Sequence, residues 1–217
     1  MPKIQQGEVR EPQQERSRRR IDQILDAAQQ IILAKGCANL TVSEIAQIAE
    51  VTPGSMYQYF RNRNEIVVAL AQRYGVIIHA MFQDVYAERP KDLYEHAEKL
   101  LQVLNRYYQI HADNPAIRDV WAGAATDKAM QELSRAEAAE NMRFHMELAT
   151  PFFPPETHPE LFRTLLVLMQ YGVHSALLAV EMGPEEGRLI LNTAERMIMD
   201  CWWPFVEANA YPHCLTK

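Results

Sequence analysis

Apolar residues recur along most of the chain at the spacing of α-helices, and the pattern breaks at short runs rich in proline, glycine and asparagine. In the first such stretch, Ile21, Ile24, Leu25 and Ala28 lie three or four residues apart and form one apolar stripe. No stretch alternates convincingly with the period of two that is typical of β-strands. The pattern therefore predicts an all-α protein of about nine helices, at residues 18–35, 42–50, 53–60, 63–88, 92–112, 116–124, 126–149, 159–181 and 185–206.

Three helix starts follow one another within residues 41–66. Thr41 and Glu44 have the spacing of a capping box, in which the hydroxyl accepts from a backbone N–H and the carboxylate reaches back. Thr52 is a suitable N-cap, and Pro53 suits the first helical position, where no N–H is needed. Asn62 begins the next helix in the same way. Two short helices joined by a tight turn are typical of a helix-turn-helix.

The second of these short helices has two contrasting faces. Met56 and Phe60 are predicted to be buried, whereas Ser55, Tyr57, Gln58 and Tyr59 are predicted to be exposed. A polar and aromatic free face is the kind that enters the major groove of DNA. The helix after it, at residues 63–88, is long and strongly apolar, and about 25 residues span roughly 38 Å. We expect that helix to join the helix-turn-helix to a second core.

Composition and charge exclude several classes of protein. The chain has 217 residues and 48% hydrophobic residues, and it lacks the run of about 18 apolar residues that a membrane span needs. Its N-terminus has no apolar centre of a signal peptide, so a cytoplasmic location and no membrane partner are expected. Residues 1–75 hold 10 Lys+Arg and 8 Asp+Glu, and the remainder holds 12 and 20, which together give the net charge of −6. An acidic body with a basic edge favours one docking orientation on DNA.

The N-terminal residues are strongly polar. Residues 1–15 have little to bury, and we expect a disordered tail there. The sequence RSRRR at 16–20 then leads into the first helix. It is either a solvated helix start or a set of contacts to phosphate or the minor groove, and its place before a helix-turn-helix favours the second interpretation. Arg18, Arg19 and Arg20 are therefore DNA-binding candidates.

The residues show no catalytic or metal-binding constellation. Cys37, Cys201 and Cys214 are far apart and match no zinc or disulfide spacing, so reduced and mostly buried thiols are expected. The histidines lack close pairing of the kind that binds metals. No nucleophile–base pair or phosphate loop is visible. The sequence therefore predicts neither an enzyme nor a bound cofactor or metal ion.

The stretch TVSEIAQIAEVTPGSMYQYFRNRNEI at 41–66 resembles the DNA-binding signature of the tetracycline-repressor (TetR) family. The resemblance covers about residues 16–70. It departs from the family pattern at Glu50, Thr52, Arg63 and Ile66, of which only Glu50, in place of the turn glycine, is not conservative. If the turn requires a positive φ at Glu50, a residue other than glycine is strained there by about 1 kcal/mol or more. Matching positions are Thr41, Ile45, Ala46, Ala49, Val51, Gly54, Tyr57, Tyr59 and Phe60.

The resemblance implies roles in DNA binding for particular residues. Base edges are expected to meet Thr52, Pro53 and Gly54, with Tyr59 one turn further on. Gln58 either reads adenine or faces solvent or backbone. Phosphate contacts are expected from the remaining candidates, which are Thr41, Ser43, Ser55, Tyr57 and Arg63.

The resemblance also implies that the chain forms a homodimer through its last two helices, which would build a four-helix bundle with the partner. Small residues in the eighth helix favour close approach of another backbone. The alternative is that these residues form an intrachain core without a dimer. The predicted interface consists of Leu165, Leu168, Gly172, Ser175, Ala176, Ala179, Leu191, Ala194, Ile198 and Trp202.

A ligand pocket among the fourth to eighth helices is a further expectation from the family. Each candidate is alternatively an ordinary core residue. The candidates are Phe82, Tyr107, His111, Trp121, Phe144, His145, Met169 and His174.

Together these expectations describe a DNA-binding unit at residues 16–64 and a helical regulatory and dimerisation unit at residues 65–210. The expected function is that of a homodimeric repressor of transcription, which binds a palindromic operator in double-stranded DNA. A small, largely apolar effector would release it. Two alternatives remain open from the sequence: a ligand-independent or activating regulator of the same fold, and a helical enzyme whose motif is incidental.

Overall fold

The computed structural model describes residues 13–124 and 128–215, and within them the chain forms nine α-helices and no β-strand. The all-α prediction is confirmed. The predicted start of the seventh helix, at residue 126, lies outside the described residues. Two short 3₁₀ turns occupy the proline-rich segment between the seventh and eighth helices. The helices are α1 Gln13–Lys35, α2 Val42–Ile48, α3 Pro53–Tyr59, α4 Arg63–Val85, α5 Leu93–Asp113, α6 Pro115–Ala124, α7 Lys128–Ala149, α8 His158–Glu181 and α9 Pro184–Asn209.

Helix α1 begins at Gln13, earlier than the sequence pattern predicts. The predicted disorder of residues 1–15 is therefore wrong for residues 13–15, while residues 1–12 lie outside the described part of the chain. Glutamine and glutamate are good helix formers, and Glu15 pairs with Arg19 at 3.0 Å one turn further on. The arginine-rich run at 16–20 is thus the first part of the helix rather than a segment that precedes it.

Helices α1, α2 and α3 and the start of α4 form the predicted DNA-binding unit, which we call the reading unit. The starts of α2, α3 and α4 lie where the caps predict them. The side-chain oxygens of Thr41, Thr52 and Asn62 each accept from the backbone N–H three residues on, at 3.4, 3.2 and 3.0 Å respectively. Because these bonds satisfy backbone donors that have no partner within the helix, they fix the first turns of α2, α3 and α4. The same caps determine how the two short helices of the helix-turn-helix meet.

The turn between α2 and α3 holds Glu50 in the left-handed region, with φ of 52°. Among the described residues it is the only one other than glycine with positive φ. The positive φ on which the expected strain depends is therefore present. An L-residue in this conformation brings its Cβ close to a carbonyl oxygen, which costs roughly 1–2 kcal/mol.

Replacing the strained residue with glycine should stabilise the reading unit. We expect Glu50→Gly to raise the free energy of unfolding by about 1 kcal/mol, because glycine adopts positive φ without the steric cost. Urea denaturation followed by circular dichroism measures the change. Glu50→Ala is the matched control, since it removes the charge but keeps the Cβ. Equal stabilisation by both variants would assign the effect to charge rather than to backbone strain.

One hydrophobic core, which we call the N-terminal core, joins α1, α2 and α3 to the first half of α4 and also includes residues of α6. Ala116, Ile117 and Val120 of α6 are almost fully buried in it, together with Met130 of α7. The second half of α4 instead packs with α5 and α7 through Met81, Phe82 and Val85. Helix α4 therefore bridges two cores, as its length predicts. The packing, however, does not divide at residue 64.

Helices α8 and α9 pack closely against each other within the chain. A Cβ at Gly187 would fall 2.2 Å from the carbonyl oxygen of Ala179, so only glycine permits this approach. The predicted dimer-interface residues supply this packing and that of α8 on α5, and none has more than 9% of its surface exposed. Their assignment as partner contacts is wrong, because a side chain packed within its own chain has no free surface. The corrected residues are Leu165, Leu168, Gly172, Ser175, Ala176, Ala179, Leu191, Ala194, Ile198 and Trp202.

Two other features of the chain differ from simple expectation. Helix α4 and the segment Pro155–Glu181 are long and apolar enough to cross a membrane by length and composition. Each buries one side against neighbouring helices, as core helices do, so they do not indicate a membrane protein.

The three cysteine thiols are free, but only Cys37 is buried. Cys201 is exposed and Cys214 is half-buried, which contradicts the expectation of mostly buried cysteines.

Candidate nucleic-acid interface and internal cavity

Helix α3 presents a polar and aromatic face to solvent. Pro53, Gly54 and Gln58 are exposed, and Tyr57 has 56% of its surface exposed. Ser55 is half-buried, and its backbone N–H donates to the side-chain oxygen of Thr52, which is itself exposed. Tyr59, predicted to be exposed, is half-buried and packs against the N-terminal core. Met56 and Phe60 are buried and hold the helix to that core, as predicted.

Other predicted DNA contacts lie on α1 and α2. Thr41 and Ser43 are exposed at the N-terminus of α2. Arg18 and Arg19 are exposed near the start of α1, while Arg20 is half-buried. Hydroxyl groups at a helix N-terminus and guanidinium groups both suit phosphate oxygens. The exposed positions therefore meet the basic requirement for DNA contact, which is an accessible donor.

Gly54 has open space where a side chain would be. Among the described residues, no heavy atom lies within 4 Å of a Cβ built at this position. The glycine is in helical conformation and exposed, so neither the protein's packing nor a positive φ requires it. Its absence of a side chain allows close approach of another molecule's backbone. The described part of the folded chain therefore leaves room for a side chain at position 54.

Arg63 makes a hydrogen bond within the protein. Its Nη2 donates to the carbonyl oxygen of Cys37 at 2.6 Å, and the side chain is half-buried. The bond ties the N-terminus of α4 to the turn that follows α1. The phosphate contact stays a prediction, and we expect this guanidinium to act mainly by holding that turn.

Removing this link should affect stability more than DNA contact. We expect Arg63→Ala to lower the free energy of unfolding by about 1.5–3 kcal/mol, the range for a hydrogen bond to a charged group. Chemical denaturation provides the measurement. The control is Arg61→Ala, because Arg61 is exposed on the neighbouring turn. An Arg63→Ala variant with unchanged stability and weakened DNA binding would support the phosphate contact instead.

A partly open cavity of about 830 Å³ lies among α4, α5, α6, α7 and α8, with Ile198 of α9 in its wall. Its volume is within the range of about 300–1,000 Å³ that is usual for ligand pockets. Six of the predicted pocket residues line it, and so do four residues first assigned to the dimer interface, Leu165, Leu168, Gly172 and Ile198. The six predicted residues that line the cavity are Phe82, Tyr107, His111, Trp121, His145 and Met169.

Two predicted pocket residues lie elsewhere. Phe144 packs edge-on against Tyr86 at a centroid distance of 5.4 Å, behind the cavity wall. His174 is exposed on α8, and its Nδ1 bonds to the Gln170 carbonyl oxygen at 2.7 Å. Residue type alone suggests both positions, but each side chain lies on a face of its helix that does not line the cavity. The prediction also missed Glu137, which faces the cavity from an otherwise polar helix and gives no periodic signal.

Burial changes the protonation of the groups around the cavity. It lowers the pKa of His145 to about 4, so this imidazole is neutral at neutral pH. Burial also lowers the pKa of His111, whose Nδ1 bonds to the Tyr107 carbonyl oxygen at 2.9 Å. Burial, and next the charge of Glu137, raise the pKa of Tyr107 to about 12. His145, His111 and Tyr107 are therefore neutral hydrogen-bonding groups among the aromatic and aliphatic side chains of the cavity wall.

Comparison with protein families gives a match in both parts of the chain. The family described as "Bacterial regulatory proteins, tetR family" matches residues 24–70, and the "Tetracyclin repressor-like, C-terminal domain" matches residues 94–201. The chain belongs to the TetR family. Members of this family are DNA-binding regulators of transcription, and the helix-turn-helix formed by α2 and α3 is the corresponding domain of this chain.

Individual relatives support the same conclusion over different lengths. The "Fatty acid metabolism regulator protein" of Bacillus subtilis is 33% identical over 91 residues, which covers 42% of this chain and 44% of that protein. This match spans less than half of the relative's length. The regulator AlkX of Mycobacterium tuberculosis is 25% identical over 87% of this chain and 85% of its own.

Solved structures show the fold of this TetR-family chain independently. A TetR-family regulator from Streptomyces coelicolor has a TM-score of 0.64 at 20% identity, covering 87% of this chain and 98% of that one. A "putative fatty acid metabolism regulator" from Clostridium perfringens has a TM-score of 0.59 at 18% identity, with coverage of 82% and 97%. At this level of identity, the likeness establishes the arrangement of helices.

Proposed function

We propose that this TetR-family regulator is a homodimeric repressor that binds a palindromic operator and leaves it when an effector enters the cavity. The observation that carries the proposal is the sharing of α4 and α6 between the reading unit and the cavity. Both helices contribute to the N-terminal core, and both line the cavity. A molecule in the cavity therefore contacts the helices on which the reading unit rests.

The link from cavity to reading unit runs through specific contacts. On α4, Arg73 donates to Asp26 and Gln29 of α1, each at 2.6 Å, which clamps the two helices together. On α6, Trp121 lines the cavity, and Ile117, one turn earlier, is fully buried in the N-terminal core. Displacement of either helix would move α1 and the turn after it. An effector needs to prefer the displaced state by only about 1–3 kcal/mol to change operator occupancy.

A second copy of the chain is proposed to cover the outer face of α8 and α9. Val167, Leu178 and Met182 on α8 have 64%, 48% and 53% of their surfaces exposed, and Met197 on α9 has 49%. Tyr171 Oη lies 2.9 Å from Met197 Sδ, so the two helices form one continuous apolar surface. Exposed apolar patches of this kind mark interaction sites. A two-fold dimer uses the same patch on both copies.

The dimer also follows from the small size of the reading unit. One helix-turn-helix buries too little surface for tight binding, and two of them are matched to half-sites about 34–36 Å apart. Exposed groups on α3 and at the start of α2 would contact one half-site. The exposed arginines of α1 would add contacts to the phosphate backbone.

Selection from random duplex DNA tests the proposed partner and symmetry together. The expected result is a palindrome whose half-sites lie about one helical turn apart, or a multiple of it. Affinity for the selected duplex should fall steeply with salt, because several phosphates are contacted in each half-site. Recovery of no common sequence, or a flat salt dependence, would contradict the proposal.

A further inference from the structure

An acidic side chain lies at the wall of the cavity, directly against a glycine of α4. Glu137 of α7 points at Gly75, where a Cβ would fall 2.4 Å from Oε1 and 3.3 Å from the carboxyl carbon. Any larger residue at position 75 would displace the carboxyl group. Gly75 and Glu137 both line the cavity. The two helices are therefore fitted to each other so that a carboxyl group lies at the cavity wall.

In residues 13–124 and 128–215, no ion pair or hydrogen bond holds the Glu137 carboxyl group. Burial, and then the charge of Glu140, raise its pKa, while the charge of His79, one turn after Gly75 on α4, lowers it. A half-buried carboxylate beside another carboxylate is unfavourable unless a positive charge compensates it. In the described part of the free protein that compensation comes from His79, which is exposed, so solvent screens its charge.

The remaining cavity wall suits a positively charged group better than a negative one. The rings of Phe82, Tyr107 and Trp121 line it, and aromatic faces attract cations. His145 is 1% exposed, and its Nδ1 has no hydrogen-bond partner among the described residues. In the neutral imidazole, one ring nitrogen accepts hydrogen bonds. Two basic side chains of the lining, Arg118 and His79, are exposed, so solvent screens their charge.

We propose that the effector is an apolar molecule with one cationic nitrogen, which binds beside the Glu137 carboxylate while its apolar body fills the cavity. This inference rests on the proposed function, because it names the chemical class of the effector that the regulator senses. It separates lipophilic amines from fatty acids, which share the apolar chain but carry the opposite charge.

Three probes of equal chain length test the head group directly. Decylammonium, decan-1-ol and decanoate are titrated separately into the full chain below their micelle concentrations, with binding measured by calorimetry. The expected order of affinity is decylammonium, then decanol, then decanoate. Glu137→Gln should weaken decylammonium binding about tenfold or more, leave decanol nearly unchanged and strengthen decanoate. Glu132→Gln is the matched control, because it removes the same charge from an exposed position on α7 outside the cavity.

The outcomes distinguish this inference from the proposed function. If decanoate binds most tightly, or if the Glu137 and Glu132 variants behave alike, the cationic head group is wrong. If decanol or decanoate releases the selected operator and decylammonium does not, the proposal of a ligand-released regulator stands, and the proposal of a cationic effector is wrong. If none of the three probes binds, both the cavity's role and the cationic effector are overturned. An adverse folding effect of Glu137→Gln would appear equally with all three probes, whereas the predicted effect depends on charge.

Discussion

The Leu178→Glu variant is expected to be a folded monomer whose affinity for the selected operator is lower by about 100-fold or more. Leu178 lies on the exposed apolar face of α8, with 48% of its surface accessible in the single chain. A two-fold interface presents each position twice, so one substitution places two carboxylates within the interface of the dimer. Loss of the second reading unit removes the gain from linked binding, which is roughly 10²–10⁴-fold.

Analytical ultracentrifugation measures the oligomeric state of this variant, and gel retardation measures its affinity for the operator. Leu33→Glu is the matched control, because Leu33 is a similarly exposed leucine on α1, at 51%, away from α8 and α9. That variant should remain a dimer. A Leu178→Glu protein that is dimeric at the wild-type concentration range would place the partner on a different surface.

Gly54→Ala is expected to weaken operator binding by about 10- to 100-fold without loss of stability, which corresponds to about 1.4–2.8 kcal/mol. In the free protein the new methyl group meets nothing within 4 Å. Alanine is a better helix former than glycine, so the free energy of unfolding should stay the same or rise by up to about 1 kcal/mol. Opposite signs for stability and DNA affinity would show that Gly54 is required by the DNA rather than by the fold.

The two quantities are measured by thermal unfolding and by titration of a labelled operator. Gln47→Ala provides the control, since Gln47 is exposed on α2 and is not among the proposed contacts. It should bind the operator with nearly wild-type affinity. If Gly54→Ala also binds normally, α3 does not approach the DNA backbone at its N-terminus.

Arg63 and Glu50 show how far the resemblance to a family signature extends. Both depart from the signature in sequence, and the structure gives each departure a separate physical meaning. Glu50 adopts the positive φ that a glycine, the residue of the signature at this turn, adopts without steric cost. Arg63 uses its guanidinium to hold the Cys37 carbonyl oxygen, a contact between residues distant in sequence. Position in the motif predicted the conformation of the first but not the partner of the second.

The sequence by itself determined the local structure and the fold class. Helix starts at Thr52 and Asn62 were predictable because capping depends on residues within one turn of each other. The apolar stripe of α1 and the bridging length of α4 followed from periodicity alone. The exposed face of α3 was largely predictable too, because a short helix with Met56 and Phe60 anchored in the core leaves only one face free.

Only the tertiary structure decided which apolar residues face which neighbour. Helix α8 has apolar residues on several faces, and its sequence does not say which of them meets α9, the cavity or a second copy. The small residues of α8 pack against α9 of the same chain, where Gly187 lies close to the Ala179 carbonyl oxygen. Val167, Leu178 and Met182 on the other side of α8 stay exposed. The contact of Glu137 with Gly75 could likewise not be predicted from the sequence, because the two residues lie on separate helices. Periodicity fixes the faces of a helix, whereas packing among helices assigns a partner to each face.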